Sequence, residues 1–475
     1  MLTLANVIEA LTGTKSSLGT GQPVTDVVID SRLVIPGCLF VALQGENLHG
    51  REFIPAAFGA GAIAALVEDD LTIDCQHVDL RGGFDPAPAT LELPLCLRVE
   101  SNLDALQRLA TFWRDRHNPR VIGITGSVGK TTTKELVAAV LARCYKTLRS
   151  RGSYNNEIGL PLTLLQLTSA HERVVLEMGM YDVGEIADLA RIARPHVGVV
   201  TNVGPVHLER AGSMERIAEA KSELVQALPP DGTAILNYDD PLVREMAQKT
   251  QAQVLFYGLS PKADLWASRI EGMGLDGIRF RLHYGGETLH LRVPLLGRHS
   301  VHTALRAAAV GIVEGESWQE LVEGLQGGAP QLRLVAVDGI NGSTVLDDTY
   351  NASPPSTLAA LNLLDEMQGR KIAVLGDMLE LGDYEEKGHR MVGLRVIDSA
   401  EILITVGTLG KIIGREALRW GMSPSNVHML DENAQVIALL GEIVARGDVI
   451  LVKASRAMQL EKVVEALTRP LKNDE

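Results

Sequence analysis

The sequence predicts an α/β protein of three domains, on three observations. Its 475 residues exceed what one hydrophobic core ordinarily organises. From about residue 100 onward, short apolar runs alternate with helix-patterned stretches, the mark of parallel sheets covered on both faces. One of those runs opens into the glycine-containing stretch "ITGSVGKTTTKE" (124–135), which then reads as a helix. The expected partition is a small α/β domain at 1–99, a central P-loop parallel-sheet ATPase domain at 100–328, and a Rossmann-like doubly wound domain at 329–475.

The first domain rests on the runs "VVID" and "CLFVAL", followed by the Ala-rich "AAFGAGAIAALV" (56–67), which looks helical. "GGFDPAPATLELP" (82–94) is punctuated by Gly and Pro and reads as an irregular excursion. In the second domain, strands are expected at "RVIGITG", "RVVLEMG", "HVGVVTN" and "TAILN". Helical patterns at "EIADLARIA" and "MERIAEAKSELVQAL" separate them. A β-rich insert follows at 264–295, with a Gly-Gly hairpin signal. The third domain opens on a hairpin marked by Asn341-Gly342 and continues through "KIAVLGD", "EILITVG", "NVHML" and "DVILVKAS". It has no GxGxxG after its first strand, which weakens a dinucleotide site there.

Composition narrows the class. Hydrophobic residues make up 46 % and charged residues 22 %, an ordinary globular balance. The net charge of −14 argues against nucleic acid as a partner, since neutralising phosphates needs clustered Lys and Arg. The four cysteines are scattered without a CxxC pair, which argues for reduced thiols in the cytoplasm rather than a zinc site or disulfide framework. The longest apolar run is too short and Ala/Gly-rich for membrane insertion, and the start lacks a signal-peptide pattern.

The phosphate loop carries the firmest chemistry. Gly126 and Gly129 permit positive φ and close approach of backbone to phosphate. The following helix N-terminus supplies N–H groups and a positive dipole end. Lys130 reaches β- and γ-phosphates, and the Thr131 hydroxyl joins a Mg²⁺ shell; Ser127 and Thr132 complete the nucleotide-binding set. Ile124 stands where the common Walker pattern has glycine, so the loop is a short GxxGKT variant.

Around it, the residues leave alternatives open. Glu177 ends a strand at "LEMGM" and reads equally as a magnesium ligand or a solvated acid. His207, after the next strand, reads as a ligand or a structural hydrogen bonder. Lys221 lies one position round from the apolar stripe Ile217, Ala220 and Leu224, where a surface lysine is the ordinary expectation. Asp347 and Asp348 in "LDDTYNASPPS" fit ribose or magnesium binding, or simple turn chemistry.

Taken together, "ITGSVGKTTTKE", "SYNNEIGLPLTLL", "LEMGM", "TNVGPVHLE", "AKSEL", "LDDTYNASP", "LGDMLELGD" and "VKASRAMQLEKVV" resemble the Mur ligase family, from about residue 26 to residue 464. "NNEIGLPLT", "EMGM", "DDTYNASP" and "LGDMLELG" are similar to the branch that adds D-alanyl-D-alanine, and the DNPR stretch of the diaminopimelate-adding branch is replaced by "ITVGTLGK". The resemblance implies ATP-dependent amide synthesis through an acyl phosphate in cytoplasmic peptidoglycan assembly. Its partners would be UDP-N-acetylmuramoyl-tripeptide and D-alanyl-D-alanine, and the enzyme a monomer. The three domains would bind the UDP substrate, ATP and the incoming dipeptide, in chain order.

The resemblance also implies roles. Catalysis would fall to Lys130, Glu177, His207 and Lys221, with two Mg²⁺ held by Thr131, Glu177, His207 and Lys221, the last as a carbamate. Ser31 and Arg32 would contact the UDP moiety, and Asn155 and Asn156 would also meet substrate. Arg333, Asp348, Tyr350 and Asn351 would close over the nucleotide. Lys453, Ser455 and Arg456 match the family's KGSR beside the incoming amino acid, with Ala454 in place of glycine. In "GRHSVHTAL", Ser300 and Thr303 replace both asparagines of the family's GxHNxxNAL adenine stretch. Thr303 retains one hydrogen bond for the base and His302 a stacking ring, so weaker nucleotide discrimination is expected. The rival readings are a Mur ligase adding a different residue, a folate polyglutamylating ligase, whose usual loop lacks the three threonines, and a non-catalytic ATP-driven switch.

Overall fold

A computed structural model describes residues 1–15, 21–45, 49–69, 72–82, 91–206, 208–327 and 334–468. The chain divides into two units. Unit 1 comprises Met1–Gly123, Tyr145–Met180 and Gly184–Val197; unit 2 comprises Ile124–Cys144, Tyr181–Val183 and Gly198–Glu475.

In unit 1, strands β1 (Val27–Val28), β2 (Leu39–Val41), β3 (Ala64–Val67), β4 (Gln76–Asp79) and β5 (Leu95–Arg98) form a parallel sheet in the order β1-β2-β3-β5-β4. The Ala-rich run departs from its helical expectation. The helix Ile54–Gly59 stops at its glycine, Gly61 adopts φ 102°, and Ala64–Val67 becomes β3. Between β2 and β5 every residue of β3 is buried, so this strand needs a continuous apolar run rather than alternation. Phe40, Ala65 and Cys96 pack on Ile54 and Ala57 of the preceding helix. Residues 83–90 of the expected excursion lie outside the described residues. Unit 1 also holds β6 (Arg120–Thr125) as far as Gly123, β7 (Thr147–Arg149) and β8 (Arg173–Glu177), in lateral order β6-β8-β7.

In unit 2, β9 (Val197–Val200, from Gly198) leads a run β9-β10-β11-β12-β13-β14 through Thr233–Asn237, Gln253–Gly258, Leu265–Gly272, Ile278–Tyr284 and Glu287–Val293. β10 to β12 pair in parallel, while β12 to β14 are antiparallel. The hairpin between β13 and β14 turns on Gly285 and Gly286 at φ 58° and 86°, as the Gly-Gly signal requires.

The last sheet contains β15 (Val335–Asp338), β16 (Thr344–Asp347), β17 (Lys371–Leu375), β18 (Ile402–Val406), β19 (Val427–Leu430) and β20 (Val449–Lys453), in the order β15-β16-β20-β17-β18-β19. Only β15 is antiparallel, joined to β16 through Asn341 and Gly342 at φ 56° and 75°. Alternation splits the strands between two cores: Leu346, Ala373, Leu403 and Leu451 on one face, Val345, Ile372, Ile404 and Ile450 on the other. Burying each Leu or Ile contributes about 1.5–3 kcal/mol. Among the described residues, no helix is long and apolar enough to cross a membrane.

Candidate active site

The phosphate loop is built by its neighbours as well as by its glycines. Gly126 has φ 139°, and a Cβ there would lie 1.8 Å from Thr201 Oγ1, so no side chain fits. Ser127 N–H donates to the Asn202 carbonyl (2.9 Å) and Val128 N–H to Asn202 Oδ1 (3.0 Å). Thr201 Oγ1 and Asn202 Nδ2 both donate to the Val128 carbonyl, at 2.7 and 3.0 Å. The Ser127 hydroxyl donates to the Gly204 carbonyl and accepts from its N–H. Gly129, at φ 85°, caps the helix Lys130–Leu141, whose first turn carries Thr131 and Thr132. Lys130 Nζ donates to the Gly126 carbonyl at 2.8 Å, folded over its own loop. A helix start beneath such a loop is an anion site.

Among the described residues, two buried basic side chains in unit 2 have no anionic partner. Lys221, on the helix Met214–Gln226, is 3 % exposed rather than on the surface. Burial, and then the positive Lys130, hold its amine well below the ordinary lysine range. Arg306, on the helix Val301–Val313, is equally buried. Its Nη2 donates to Thr303 Oγ1 at 2.7 Å and stands 3.1 Å from where a Cβ on Gly129 would be. Its Nη1 lies 3.5 Å from the Tyr257 hydroxyl, and its Nε has no hydrogen-bond partner among the described residues. Thr303, expected at the adenine, thus holds Arg306 toward the phosphate loop. Ser300 donates back to the Leu296 carbonyl. Burial and Arg306 push the His302 imidazole down to about 4, leaving it neutral.

Sequence reasoning passed over Arg306 and Asn202. The signal for the first was a lone charge in the apolar helix "VHTALRAAAVGIV"; for the second, an Asn two residues beyond a buried strand.

The last sheet gathers its predicted residues at the carboxyl ends of β16 and β20. Lys453, 1 % exposed, donates to Asp348 Oδ2 at 2.6 Å and to the Asn351 carbonyl at 2.8 Å. Ser455 Oγ accepts from Leu379 N–H, and Arg456 lies over the exposed Tyr350 ring. Unit 1 holds the others. Glu177, fully buried at the end of β8, accepts from Asn155 Nδ2 at 2.9 Å. Asn156 Oδ1 accepts from Gly159 N–H at the start of the helix Gly159–Leu164. Ser31 and Arg32 follow β1, where Arg32 pairs with Asp30 at 2.6 Å and draws that carboxyl down to about 2. His207 and Arg333 lie outside the described residues.

Comparison with known proteins agrees along the length of the chain. Residues 23–111 match the Mur ligase family, catalytic domain; 124–311 the Mur ligase middle domain; and 332–456 the Mur ligase, glutamate ligase domain. The UDP-N-acetylmuramoyl-tripeptide–D-alanyl-D-alanine ligase of Bacillus subtilis (strain 168) is 36 % identical over 470 residues, covering 98 % of each chain. A crystal structure of MurF from Acinetobacter baumannii superposes with a TM-score of 0.84 at 27 % identity, again over 98 % of each chain. The MurF ligase of Thermotoga maritima, solved with ADP, gives 0.78 at 28 % identity over 93 % of this chain and 96 % of the other.

Proposed function

This chain belongs to the Mur ligase family, and we propose that it is the ATP-dependent ligase joining D-alanyl-D-alanine to UDP-N-acetylmuramoyl-tripeptide in the cytoplasm. The observation that carries the reading is end-to-end likeness to relatives named for that reaction, across all three matched regions rather than at the phosphate loop alone.

The reaction follows from the poor electrophilicity of a carboxylate. Its oxygen attacks the γ-phosphorus of ATP, ADP leaves, and the acyl phosphate then yields to the dipeptide amine with release of phosphate. Lys130 offsets charge on the transferring phosphoryl group, and the Ser127–Thr132 backbone cradles the phosphates. Arg306 adds a second cation on the same loop. In this reading 1–99 binds the UDP substrate, 100–328 the nucleotide and 329–475 the dipeptide. Ser31 and Arg32 serve the first, and Ser455 and Arg456 the third. Lys453 orients Asp348 and Asn351, which, with Tyr350 and Arg333, serve the nucleotide.

Magnesium suits the donors available. The buried Glu177 carboxylate and the Thr131 hydroxyl are hard oxygen groups, and His207 is assigned with them. Bound Mg²⁺ would supply charge neutralisation on the phosphates. Lys221 is the carbamate site: burial and Lys130 disfavour its ammonium form, and addition of CO₂ to the amine, with loss of one proton to solvent, would give an anion that answers the Lys130 charge.

Incubation with ATP, Mg²⁺, the UDP-linked tripeptide and D-Ala-D-Ala should give the pentapeptide by mass spectrometry, with one phosphate per product. Phosphate release without product would instead favour an ATP-driven switch, and a product carrying another residue would favour a different branch.

A further inference from the structure

Cys75, His77 and Cys96 converge in unit 1, although their spacing resembles no CxxC motif. The convergence comes from strand pairing: β4 and β5 run parallel with His77 opposite Cys96, and Cys75 lies just before β4. Cys75 Sγ is 3.4 Å from Cys96 Sγ and 3.7 Å from His77 Nε2. All three atoms lie within 4.8 Å of one another. Tetrahedral zinc, with Zn–S of about 2.3 Å and Zn–N of about 2.0–2.1 Å, spaces its ligand atoms about 3.5–3.8 Å apart.

We propose that Cys75, Cys96 and His77 form a binding site for a thiophilic divalent cation, Zn²⁺, with its fourth position open to water. The site is also reachable, since Cys96 is buried but Cys75 is half-buried and His77 exposed. Binding releases the two thiol protons to solvent, and His77 Nε2 exchanges its 3.3 Å contact with the Ile73 carbonyl for the metal, its proton moving to Nδ1 so that Nε2 presents a lone pair. Two thiolates and one Zn²⁺ sum to zero charge, which suits a site backed by the apolar cluster of Phe40, Ala57 and Cys96. The ion would fasten β4, the edge strand, to β5 and stabilise the fold by mass action.

The test uses the full-length, reduced, metal-free protein saturated with ADP and Mg²⁺, so that oxygen ligands of the nucleotide site are already engaged. One equivalent of Co²⁺ should produce a near-ultraviolet sulfur-to-cobalt band, which one equivalent of Zn²⁺ abolishes. Cys75→Ser and Cys96→Ser should each diminish the band and weaken binding at least tenfold, whereas Cys144→Ser, at an exposed thiol, should keep both. In the unmutated protein, which removes any question of misfolding, Zn²⁺ should shield Cys75 and Cys96 from alkylation and leave Cys144 reactive. Absence of the sulfur band, its survival unchanged in Cys75→Ser, or a Cys75–Cys96 disulfide in place of metal binding would each overturn the assignment.

Discussion

Lys221 and Lys453 are both almost fully buried in unit 2, yet the charges they meet have opposite sign. Lys453 is answered within the protein by Asp348 at 2.6 Å. Lys221 faces Lys130, and no described carboxylate pairs with it. Arg306 resembles Lys221, with a hydroxyl where an ion-pair partner would stand. A buried ammonium beside another cation is costly, so under the proposed function this part of the molecule awaits negative charge: polyphosphate at Lys130 and Arg306, and a carbamate formed from CO₂ at Lys221. At the last sheet, by contrast, the buried Lys453 charge is already balanced by Asp348.

Breaking the contrast at Lys221 should have the largest effect. Lys221→Ala is expected to lower turnover roughly 10²–10³-fold, the scale of losing one electrostatic stabiliser. Short carboxylic acids added to the assay should restore part of it. Unchanged turnover, or loss with no rescue, would count against the carbamate.

At Lys453 the damage should appear as stability. Lys453→Met removes the buried cationic partner of Asp348 and should cost about 3–5 kcal/mol in chemical denaturation. Adding Asp348→Asn should recover most of that without restoring full activity. Non-recovery would mean that packing, rather than charge, holds the pair.

Arg306→Met sharpens the comparison further. Losing a charge-assisted contact worth about 1.5–3 kcal/mol should weaken ADP and ATP binding by tenfold or more in calorimetry. The melting temperature of the nucleotide-free protein should hold or rise. A lowered melting temperature with unchanged affinity would make Arg306 structural.

The smallest effect concerns an anion without an answering cation. Burial, then Glu320 and Glu314, raise the Glu316 carboxyl to about 7, and neither of its oxygens has a described hydrogen-bond partner. Because the folded value lies above the unfolded one, the folded state binds more protons between about pH 4.5 and 7, and stability falls as pH rises through that window. Glu316→Gln should therefore gain about 1 kcal/mol at pH 8, allowing for solvent screening, and nothing below pH 4. A gain that is independent of pH would refute the charge explanation.

Much of this was legible beforehand. Each central and C-terminal strand expected from an apolar run is present, because parallel strands buried on both faces must be continuously apolar. The Asn-Gly and Gly-Gly turns were equally readable, since few other pairs tolerate positive φ. The failures have a common cause. Ala56–Val67 looked like one helix because apolar periodicity cannot separate a short helix from a buried strand, and only the sheet order does so. Lys221 looked exposed because one residue's offset from an apolar stripe says nothing about what packs over it. Arg306 and the Cys75–His77–Cys96 cluster depend on pairings between distant segments, which local spacing does not encode.

The clamp that Thr201 and Asn202 place on Val128 has a kinetic consequence. A glycine-containing loop left to itself would sample many shapes, and a nucleotide would have to select the competent one at a cost of about 1–2 kcal/mol per residue ordered. Here the side chains of the neighbouring segment have met that entropy before the ligand arrives. Nucleotide capture then asks for movement of the Lys130 side chain more than of the loop backbone, and loosening the clamp with Asn202→Ala should slow association before it speeds release.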